Sequence, residues 1–278
     1  MSAGGLDAGV DLGATLAKVV LAPSEGPIST GTLDAHLFPA ADVEELARFL
    51  SDRRPATVGA TGAGARAFAS RLGDGRVRLV DEFGAWAAGE RLILTGAGFT
   101  PSDPHLLVSI GTGTSMLRVA NGTAARVGGT ALGGGTLSGL GALLSAEREH
   151  EALVARAAAG DSRRVDLLVS DLYRKGEIPI DVDLTAASFG RILSRSPEDL
   201  AAAVARLVGE NVALLAGAWA AAHGAEDVVY AGSTLRGNEL LKRILAETTA
   251  LSGRRALFLP MGEFAGAAGA LALARAAG

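Results

Sequence analysis

The sequence predicts an α/β fold with two related halves, each carrying a glycine-containing hairpin. Strand-like and helix-like segments alternate along the chain, which favours a sheet with a largely parallel core. In VDLGATLAKVV (residues 10–20) the two strands are joined too tightly for a parallel crossover, so they must form a hairpin. The same order of apolar strand, glycine, small polar residues and strand recurs in VSIGTGTSMLRV (residues 108–119). We therefore expect two hairpins, one in each half, that face each other across a cleft.

The individual elements are predicted from apolar runs of strand length and from helical patterns between them. The stretch 96–104, which contains Pro and Gly, is the best candidate boundary, and it predicts domains at residues 1–100 and 101–278. Strands are predicted at residues 6–12, 16–21, 32–37, 57–60, 77–80, 106–110, 115–120, 165–169, 227–231 and 256–259. Helices are predicted at residues 41–53, 82–94, 139–144, 147–159, 197–223, 240–251 and 264–276.

The composition limits the class of function. The 278 residues are 49% hydrophobic and 20% charged, which is a normal globular balance. The formal net charge of −4 provides no basic excess for binding nucleic acid or an anionic membrane. The absence of cysteine excludes disulfides, thiol catalysis, Fe–S clusters and cysteine-ligated zinc. Because we find no basic N-terminal region and no apolar run long enough to span a bilayer, we expect a cytoplasmic protein.

The residues around the first glycine suit a polyphosphate site, although they match neither a Walker-type loop nor a dinucleotide fingerprint. Glycine lets backbone N–H groups approach phosphate oxygens, and the hydroxyls of Thr15, Thr112 and Ser115 would add donors. Asp11 would hold a hydrated Mg²⁺, since magnesium is bound by one or two carboxylates plus water. Lys18 would offer a positive charge to the transferring phosphoryl group. For either hairpin alone, ordinary hairpin chemistry with Asp11 as a turn residue is the better explanation.

A third glycine-rich segment, VGGTALGGGTLSGL (residues 127–140), follows the second hairpin and runs into a helix. We interpret it as a turn whose glycines, at positions 133–135, let the backbone approach a phosphate. The repeated hairpin together with this turn favours a nucleotide site over ordinary hairpin chemistry.

Several stretches together resemble the type II pantothenate kinases, a family within the actin-like, sugar-kinase and heat-shock-chaperone ATPase superfamily. The likeness covers nearly the whole chain in the right order, and RVGGTALGGGTLSGLGALL is its most specific element. The stretches are VDLGATLAKVV, DEFGAWAAGERLIL (81–94), VSIGTGTSMLRV, RVGGTALGGGTLSGLGALL (126–144), VVYAGSTLRGN (228–238) and ALFLPMGEFAGAAGALAL (256–273).

The resemblance implies an activity, a fold and a set of partners. The activity is the ATP-dependent phosphorylation of pantothenate on its hydroxyl, the first step towards coenzyme A. The fold is a pair of duplicated ribonuclease-H-like, actin-like ATPase domains with a nucleotide cleft between them. The enzyme would use ATP and Mg²⁺, act as a homodimer, and have coenzyme A or acyl-CoA as a feedback ligand.

The resemblance also implies roles for residues at matching positions. Glu82 falls where the family has its catalytic glutamate, Asp11 would bind the metal, and Ser115 with Arg126 fall where the family contacts pantothenate. The implied nucleotide-binding residues are Asp11, Gly13, Thr15, Lys18, Thr112, Gly133, Gly134, Gly135, Thr136, Gly232 and Ser233.

Two of these assignments have simpler alternatives. Asp81 and Glu82 follow a predicted strand and begin a helix, so Asp81 would cap the helix and Glu82 would favour its dipole. Because position 84 is Gly, a full capping box is missing, and capping explains Asp81 better than Glu82. Arg126 is explained by a solvated strand end, or by a guanidinium that binds the polar groups of pantothenate in a fixed geometry.

The sequence departs from the family at two positions, and other functions remain open. Ala14 stands where the first motif more often has a second glycine, and Phe264 stands where some relatives have tyrosine. One alternative is another small-molecule kinase of the superfamily, such as an N-acetylhexosamine kinase. A second is a non-enzymatic, actin-like ATP-binding switch, which would have no use for Glu82 as a base. An ATPase activator of reductases is disfavoured, because the chain has no cysteine for its cluster.

Overall fold

The structure is a computed structural model that describes residues 5–73, 75 and 77–277. The chain forms two compact units. Unit 1 comprises Met1–Asp103, Leu117–Arg126 and Leu259–Gly278, and unit 2 comprises Pro104–Met116 and Val127–Phe258. The first break falls between Asp103 and Pro104. The C-terminal residues, however, belong to unit 1, because the last helix packs on the first sheet.

The first sheet, in unit 1, has the strand order β3-β2-β1-β4-β5. The first three strands are antiparallel, while β1–β4 and β4–β5 are parallel pairs. The strands are β1 (Leu6–Leu12), β2 (Leu16–Pro23), β3 (Asp34–Pro39), β4 (Val58–Thr61) and β5 (Val77–Leu79). The helices of this part are α1 (Val43–Arg53), α2 (Ala65–Leu72) and α3 (Glu82–Ala97).

The second sheet has the strand order β12-β11-β6-β7-β8. Its β11 strand is parallel to both β6 and β12. The strands are β6 (His105–Ile110), β7 (Thr114–Ala120), β8 (Thr123–Thr130), β11 (Asp227–Ala231) and β12 (Arg255–Phe258), and a separate two-stranded sheet contains β9 (Leu167–Leu168) and β10 (Thr185–Ala187). The helices that follow β8 are α4 (Gly134–Ser145), α5 (His150–Ala159), α6 (Pro197–Ala222), α7 (Glu239–Leu251) and α8 (Ala265–Ala276).

The two five-stranded sheets repeat one topology. In each, a meander of three consecutive strands occupies one side, and two later strands extend the sheet in parallel from the first strand of the meander. Local sequence explains the tight connections: Asn121 and Gly122 have φ values of 50° and 71°, as a two-residue turn between β7 and β8 requires. The predicted α/β class and its internal duplication therefore agree with the structure.

The long helix α6 is the central helix of unit 2. Pro197 starts it, and the Ser196 side chain caps it by accepting a hydrogen bond from the Asp199 N–H at 3.2 Å. Its length and apolar composition would suffice to cross a membrane, yet 67% of its most apolar window is buried inside the protein. Its alanines and valines pack against β6 and β11 in the main hydrophobic core. This burial is typical of a core helix in a globular protein.

The last helix, α8, packs against α3, β1 and β4 at very short distances within unit 1. Glycines permit this approach: a Cβ built on Gly269 would lie 1.7 Å from the carbonyl oxygen of Ala85, and one on Gly89 would lie 1.8 Å from that of Ala265. Gly9 on β1 meets the carbonyl oxygen of Ala267 in the same way, at 2.0 Å. The C-terminal residues are thus built into the first half of the chain.

The structure differs from the sequence prediction at several elements, of which three bear on the candidate site or its surroundings. The predicted strand at residues 165–169 is also reduced to β9 (Leu167–Leu168), and its partner β10 was not predicted. Residues 123–130 form strand β8, so Gly128 and Gly129 lie in a strand and not in a turn. Helix α4 begins at Gly134, five residues before the predicted start. Helix α2 was missed although its apolar residues lie at helical spacing; it is only eight residues long, and only Ala65 and Phe68 in it are buried.

Candidate active site

The first hairpin brings Asp11 and Lys18 together in unit 1. Asp11 lies opposite Lys18 in the β1–β2 register, and the Lys18 Nζ lies 3.4 Å from the Asp11 Oδ2. The turn is closed by a hydrogen bond from the Gly13 N–H to the Leu16 carbonyl at 3.1 Å. Only 6% of the Asp11 side chain and 12% of the Lys18 side chain are exposed. The hairpin therefore presents a largely buried ion pair at its tip.

Two glycines that the sequence analysis did not select enclose the Asp11 carboxylate. A Cβ on Gly62, which has a φ of 88°, would lie 2.8 Å from the Asp11 Oδ1, and one on Gly266 would lie 2.8 Å from the Oδ2. Gly62 follows β4, and Gly266 lies in the first turn of α8. Any side chain at these positions would press on the carboxylate. Thr-Gly after a strand and Gly near a helix start are too common to mark a site from sequence alone.

Glu82 is the first residue of α3, and Asp81 caps that helix. The Asp81 Oδ2 accepts a hydrogen bond from the Gly84 N–H at 2.7 Å, as the capping interpretation of Asp81 predicts. Among the described residues, none accepts or donates a comparable capping bond with Glu82, which as a whole residue is exposed although its carboxyl group is partly desolvated. The parallel strands β1, β4 and β5 bring their carboxyl ends to one edge of the sheet, where α/β proteins collect ligands. Asp11 and Glu82 both lie at that edge.

The charges at this edge influence one another. Burial raises the pKa of Asp11, and the neighbouring Lys18 opposes that rise through its charge and its hydrogen bond. Desolvation also raises the pKa of Glu82, the negative charge of Asp11 raises it further, Lys18 opposes the rise, and Asp81 adds to it. Because Asp11 and Lys18 both affect Glu82, the three groups form one electrostatic cluster within unit 1. A carboxylate whose pKa is raised by such neighbours is a better proton acceptor than an ordinary glutamate.

In unit 2, the glycine-rich segment packs on the turn of the second hairpin. The Gly134 N–H donates to the Gly111 carbonyl at 2.7 Å, and the Gly135 N–H donates to the Thr112 carbonyl at 2.8 Å. A Cβ on Gly133 would lie 2.8 Å from the Thr112 carbonyl oxygen. These glycines let the start of α4 approach the hairpin backbone, so two of the expected phosphate donors are directed at protein carbonyls in this structure.

The residues that follow β11 also pack against the turn of the second hairpin. Gly232 has a φ of 109°, and a Cβ there would lie 2.4 Å from the Ile110 carbonyl oxygen. The Thr234 Oγ1 donates to the Gly111 carbonyl at 3.0 Å. Gly111 is therefore held both by the start of α4 and by the turn after β11. Three segments that the sequence analysis selected separately meet at one place in unit 2.

The remaining selected residues are described individually. Thr15 and Thr112 are exposed in their hairpin turns, while Ser115 on β7 and Ser233 after β11 are half-buried. Arg126 is exposed on β8. The Thr136 hydroxyl donates to the Ala131 carbonyl at 3.3 Å. Their ligand roles stay predictions.

The two departures from the family pattern are accommodated without strain. Ala14 is exposed and does not adopt a left-handed φ, so alanine costs the backbone little there. Phe264 is 8% exposed and packs in a core cluster with Val20, Ala22 and Leu271. Phe264 therefore has a packing role within unit 1.

A comparison with known protein families decides the identity of this chain. The family model described as Fumble matches residues 7–273. The chain belongs to the Fumble family.

Curated relatives of this Fumble-family chain are named type II pantothenate kinase. The relative from Oceanobacillus iheyensis is 35% identical over 267 residues, covering 95% of this chain and 97% of the relative. The relative from Staphylococcus aureus strain MRSA252 is 32% identical, covering 96% and 99%.

Solved structures agree on the fold of this Fumble-family chain. Component A of (R)-2-hydroxyglutaryl-CoA dehydratase from Acidaminococcus fermentans has a TM-score of 0.65 at 18% identity, with 99% of each chain covered. A ROK family glucokinase from Streptomyces griseus, in complex with glucose and AMPPNP, has a TM-score of 0.61 at 15% identity, covering 98% of this chain and 100% of the glucokinase. At these identities the likeness concerns the fold alone. The duplicated ribonuclease-H-like α/β fold that the sequence predicted is confirmed.

Proposed function

We propose that this chain is a type II pantothenate kinase, which transfers the terminal phosphoryl group of ATP to the hydroxyl of pantothenate. Products are ADP and 4′-phosphopantothenate, the first intermediate on the route to coenzyme A. The proposal is supported by curated relatives of this name at 32–35% identity over 95–96% of the chain. The single structural observation that carries it is the position of Glu82 at the start of α3, at the same edge of the first sheet as the Asp11–Lys18 ion pair.

Glu82 acts as the general base in this proposal. The hydroxyl oxygen of pantothenate attacks the terminal phosphorus of ATP while the bond from that phosphorus to the bridging oxygen of ADP breaks. The Glu82 carboxylate accepts the hydroxyl proton, and its raised pKa improves it as an acceptor. Lys18 stabilises the negative charge on the transferring group. Asp81 fixes the first turn of α3 through its bond to Gly84, so the Glu82 backbone is held.

Asp11 would hold the Mg²⁺ that accompanies ATP. Its carboxylate is a hard oxygen donor, and Gly62 and Gly266 place no side chain against its oxygens, although the Oδ2 also faces the Lys18 ammonium group at 3.4 Å. Within the residues that the structure describes, no group of three or more His, Asp or Glu side chains could hold a metal ion. A single carboxylate suffices, because Mg²⁺ takes phosphate and water oxygens as its other ligands. Bound Mg²⁺ would neutralise phosphate charge.

The remaining binding roles are assigned by the family positions. Ser115 and Arg126 would contact pantothenate, and the exposed Arg126 guanidinium suits the pantothenate carboxylate. The three glycines at positions 133–135 would contribute to ATP binding indirectly, by letting α4 begin close to the second hairpin. Their close approach is shown by the bonds from the Gly134 and Gly135 N–H groups to the carbonyls of Gly111 and Thr112. The other nucleotide-binding positions in the proposal are Gly13, Thr15, Lys18, Thr112, Thr136, Gly232 and Ser233.

An acceptor panel tests this function. ATP turnover is measured with pantothenate, N-acetylglucosamine, N-acetylmannosamine, glucose or no acceptor, and the products are identified by mass. We expect pantothenate-dependent formation of 4′-phosphopantothenate and little turnover with the sugars. Phosphorylation of an N-acetylhexosamine instead would assign the chain to the sugar-kinase alternative. ATP binding without any acceptor-dependent product would favour a nucleotide switch.

The assembly and its regulation form part of the same proposal. The enzyme would be a cytoplasmic homodimer, with coenzyme A or acyl-CoA as a feedback ligand. Support for a second copy comes from exposed apolar side chains in the segment of the chain that connects α5 to α6. These side chains are Leu172, Tyr173, Ile180, Ile192 and Leu193.

Sedimentation velocity at two protein concentrations is expected to give a dimer, and a monomer at both concentrations would contradict the proposed assembly.

A further inference from the structure

Thr61 connects the strand that bears Asp11 to the backbone that leads into Glu82. It is the last residue of β4, and it lies opposite Asp11 in the parallel β1–β4 register. Only 1% of Thr61 is exposed, so its hydroxyl must find a partner inside the protein. That partner is the Val80 carbonyl, which accepts from the Thr61 Oγ1 at 3.1 Å. Val80 is separated from Glu82 by Asp81 alone.

The backbone pairing explains why a side chain is needed at this point. The β4–β5 register ends with Ala60 opposite Leu79, and one more bond runs from the Val80 N–H to the Ala60 carbonyl at 2.9 Å. Beyond that bond the chain leaves the sheet and enters α3. The Thr61 hydroxyl therefore makes the last link between the sheet and the segment that carries Glu82.

We propose that Thr61 is a positioning residue, whose hydrogen bond to Val80 holds the Glu82 backbone at a fixed distance from Asp11. The inference rests on the proposed function of Glu82 as the base. Positioning matters because a displacement of about 1 Å in an active site can lower a rate by 10²-fold. The charge of Asp11 also contributes to the raised pKa of Glu82, and that contribution falls as the two carboxylates move apart.

Two matched variants separate the hydroxyl from the shape of the side chain. Thr61→Val keeps the shape and removes the donor, whereas Thr61→Ser keeps the donor and removes a methyl group. With the acceptor that the panel identifies, Thr61→Val is expected to lower kcat about 10- to 100-fold, with the KM for ATP changed less than about twofold. Thr61→Ser is expected to retain kcat within about threefold. Equal losses in both variants, or no loss in Thr61→Val, would overturn the proposal.

Two further measurements ask whether Thr61 acts through Glu82. In a Glu82→Gln background, adding Thr61→Val is expected to change the residual rate less than about twofold, because the group being positioned is already lost. In the metal-free Thr61→Val protein, the Glu82 carboxyl group, followed by NMR, is expected to titrate at lower pH than in wild type, since the negative charge of Asp11 acts on it less strongly. An unchanged Glu82 titration, or full additivity with Glu82→Gln, would show a structural role only.

Amide hydrogen exchange tests the role of the Thr61 hydroxyl without depending on catalytic activity. If the wild-type protein phosphorylates no acceptor, the function fails, yet the bond between Thr61 and Val80 still makes a prediction. Exchange in the peptide that covers residues 80–85 is expected to be roughly fivefold faster in Thr61→Val than in wild type, and unchanged in Thr61→Ser. Equal exchange in all three proteins would overturn the positioning role.

Discussion

Replacing Glu82 with glutamine is expected to lower kcat for pantothenate phosphorylation by about 10²- to 10⁴-fold while ATP binding is retained. Glutamine keeps the length and polarity of the side chain at the start of α3, but its amide cannot accept the hydroxyl proton. The helix should persist, because its cap is Asp81 and not Glu82. Product formation followed by mass, together with calorimetric titration of ATP, measures both quantities on one preparation.

A matched control at the neighbouring position examines the pH dependence. The raised pKa of Glu82 places the acid limb of kcat/KM above the pH expected for an ordinary glutamate, because the base must be deprotonated to act. Asp81→Asn keeps the cap, since an asparagine oxygen can accept from the Gly84 N–H, and it removes a negative charge that raises the Glu82 pKa. Its acid limb is therefore expected at lower pH, with kcat at neutral pH close to that of wild type.

Two outcomes would contradict the role of Glu82. A kcat of Glu82→Gln within about threefold of wild type would exclude a general base there. A loss of activity that Asp81→Asn shares in full, with no change in the acid limb, would assign the effect to the start of α3 and not to proton transfer. The nucleotide switch predicts the first outcome for any ATP turnover, because such a switch does not need a base.

Local patterns predicted most of the fold, since strand alternation and helix capping depend on residues close in sequence. Strands β1 and β11 have the predicted bounds, and Asp81 caps α3 as its position suggested. Strand β8 was missed because none of its residues is buried and two are glycines, so it lacks an apolar alternation.

The site was predictable only where a motif lies within one segment. Asp11 and Lys18 belong to a single hairpin, and their pairing follows from its register. Gly62 and Gly266 enclose the same carboxylate from positions far apart in the chain, and no local pattern records that contact. The bonds from the Gly134 and Gly135 N–H groups to the Gly111 and Thr112 carbonyls likewise join segments that are about twenty residues apart, so no local pattern records them. The nucleotide-binding role of these glycines stays a prediction.

The packing of α3 on α8 depends on glycine more strongly than any sequence pattern suggests. Gly269→Ala is expected to destabilise the protein by about 3 kcal/mol or more, because the new methyl group would lie 1.7 Å from the Ala85 carbonyl oxygen. That oxygen belongs to the α3 backbone, so only a separation of the two helices can relieve the overlap. The alanine-rich sequence AGAAGALALARA of α8 makes this glycine look interchangeable with its neighbours.

Gly139→Ala is the matched control, because Gly139 also lies within a helix but a Cβ there meets nothing within 4 Å. The methyl group enters solvent, and alanine is the better helix former by roughly 0.5–1 kcal/mol. Thermal unfolding is therefore expected to show a Tm lower by roughly 6–12 °C for Gly269→Ala and an unchanged or higher Tm for Gly139→Ala. Equal Tm values in the two variants would mean that α3 and α8 can move apart at little cost. In that case the C-terminal helix would not be an integral layer of unit 1, and the enclosure of Asp11 by Gly266 would lose its rigid support.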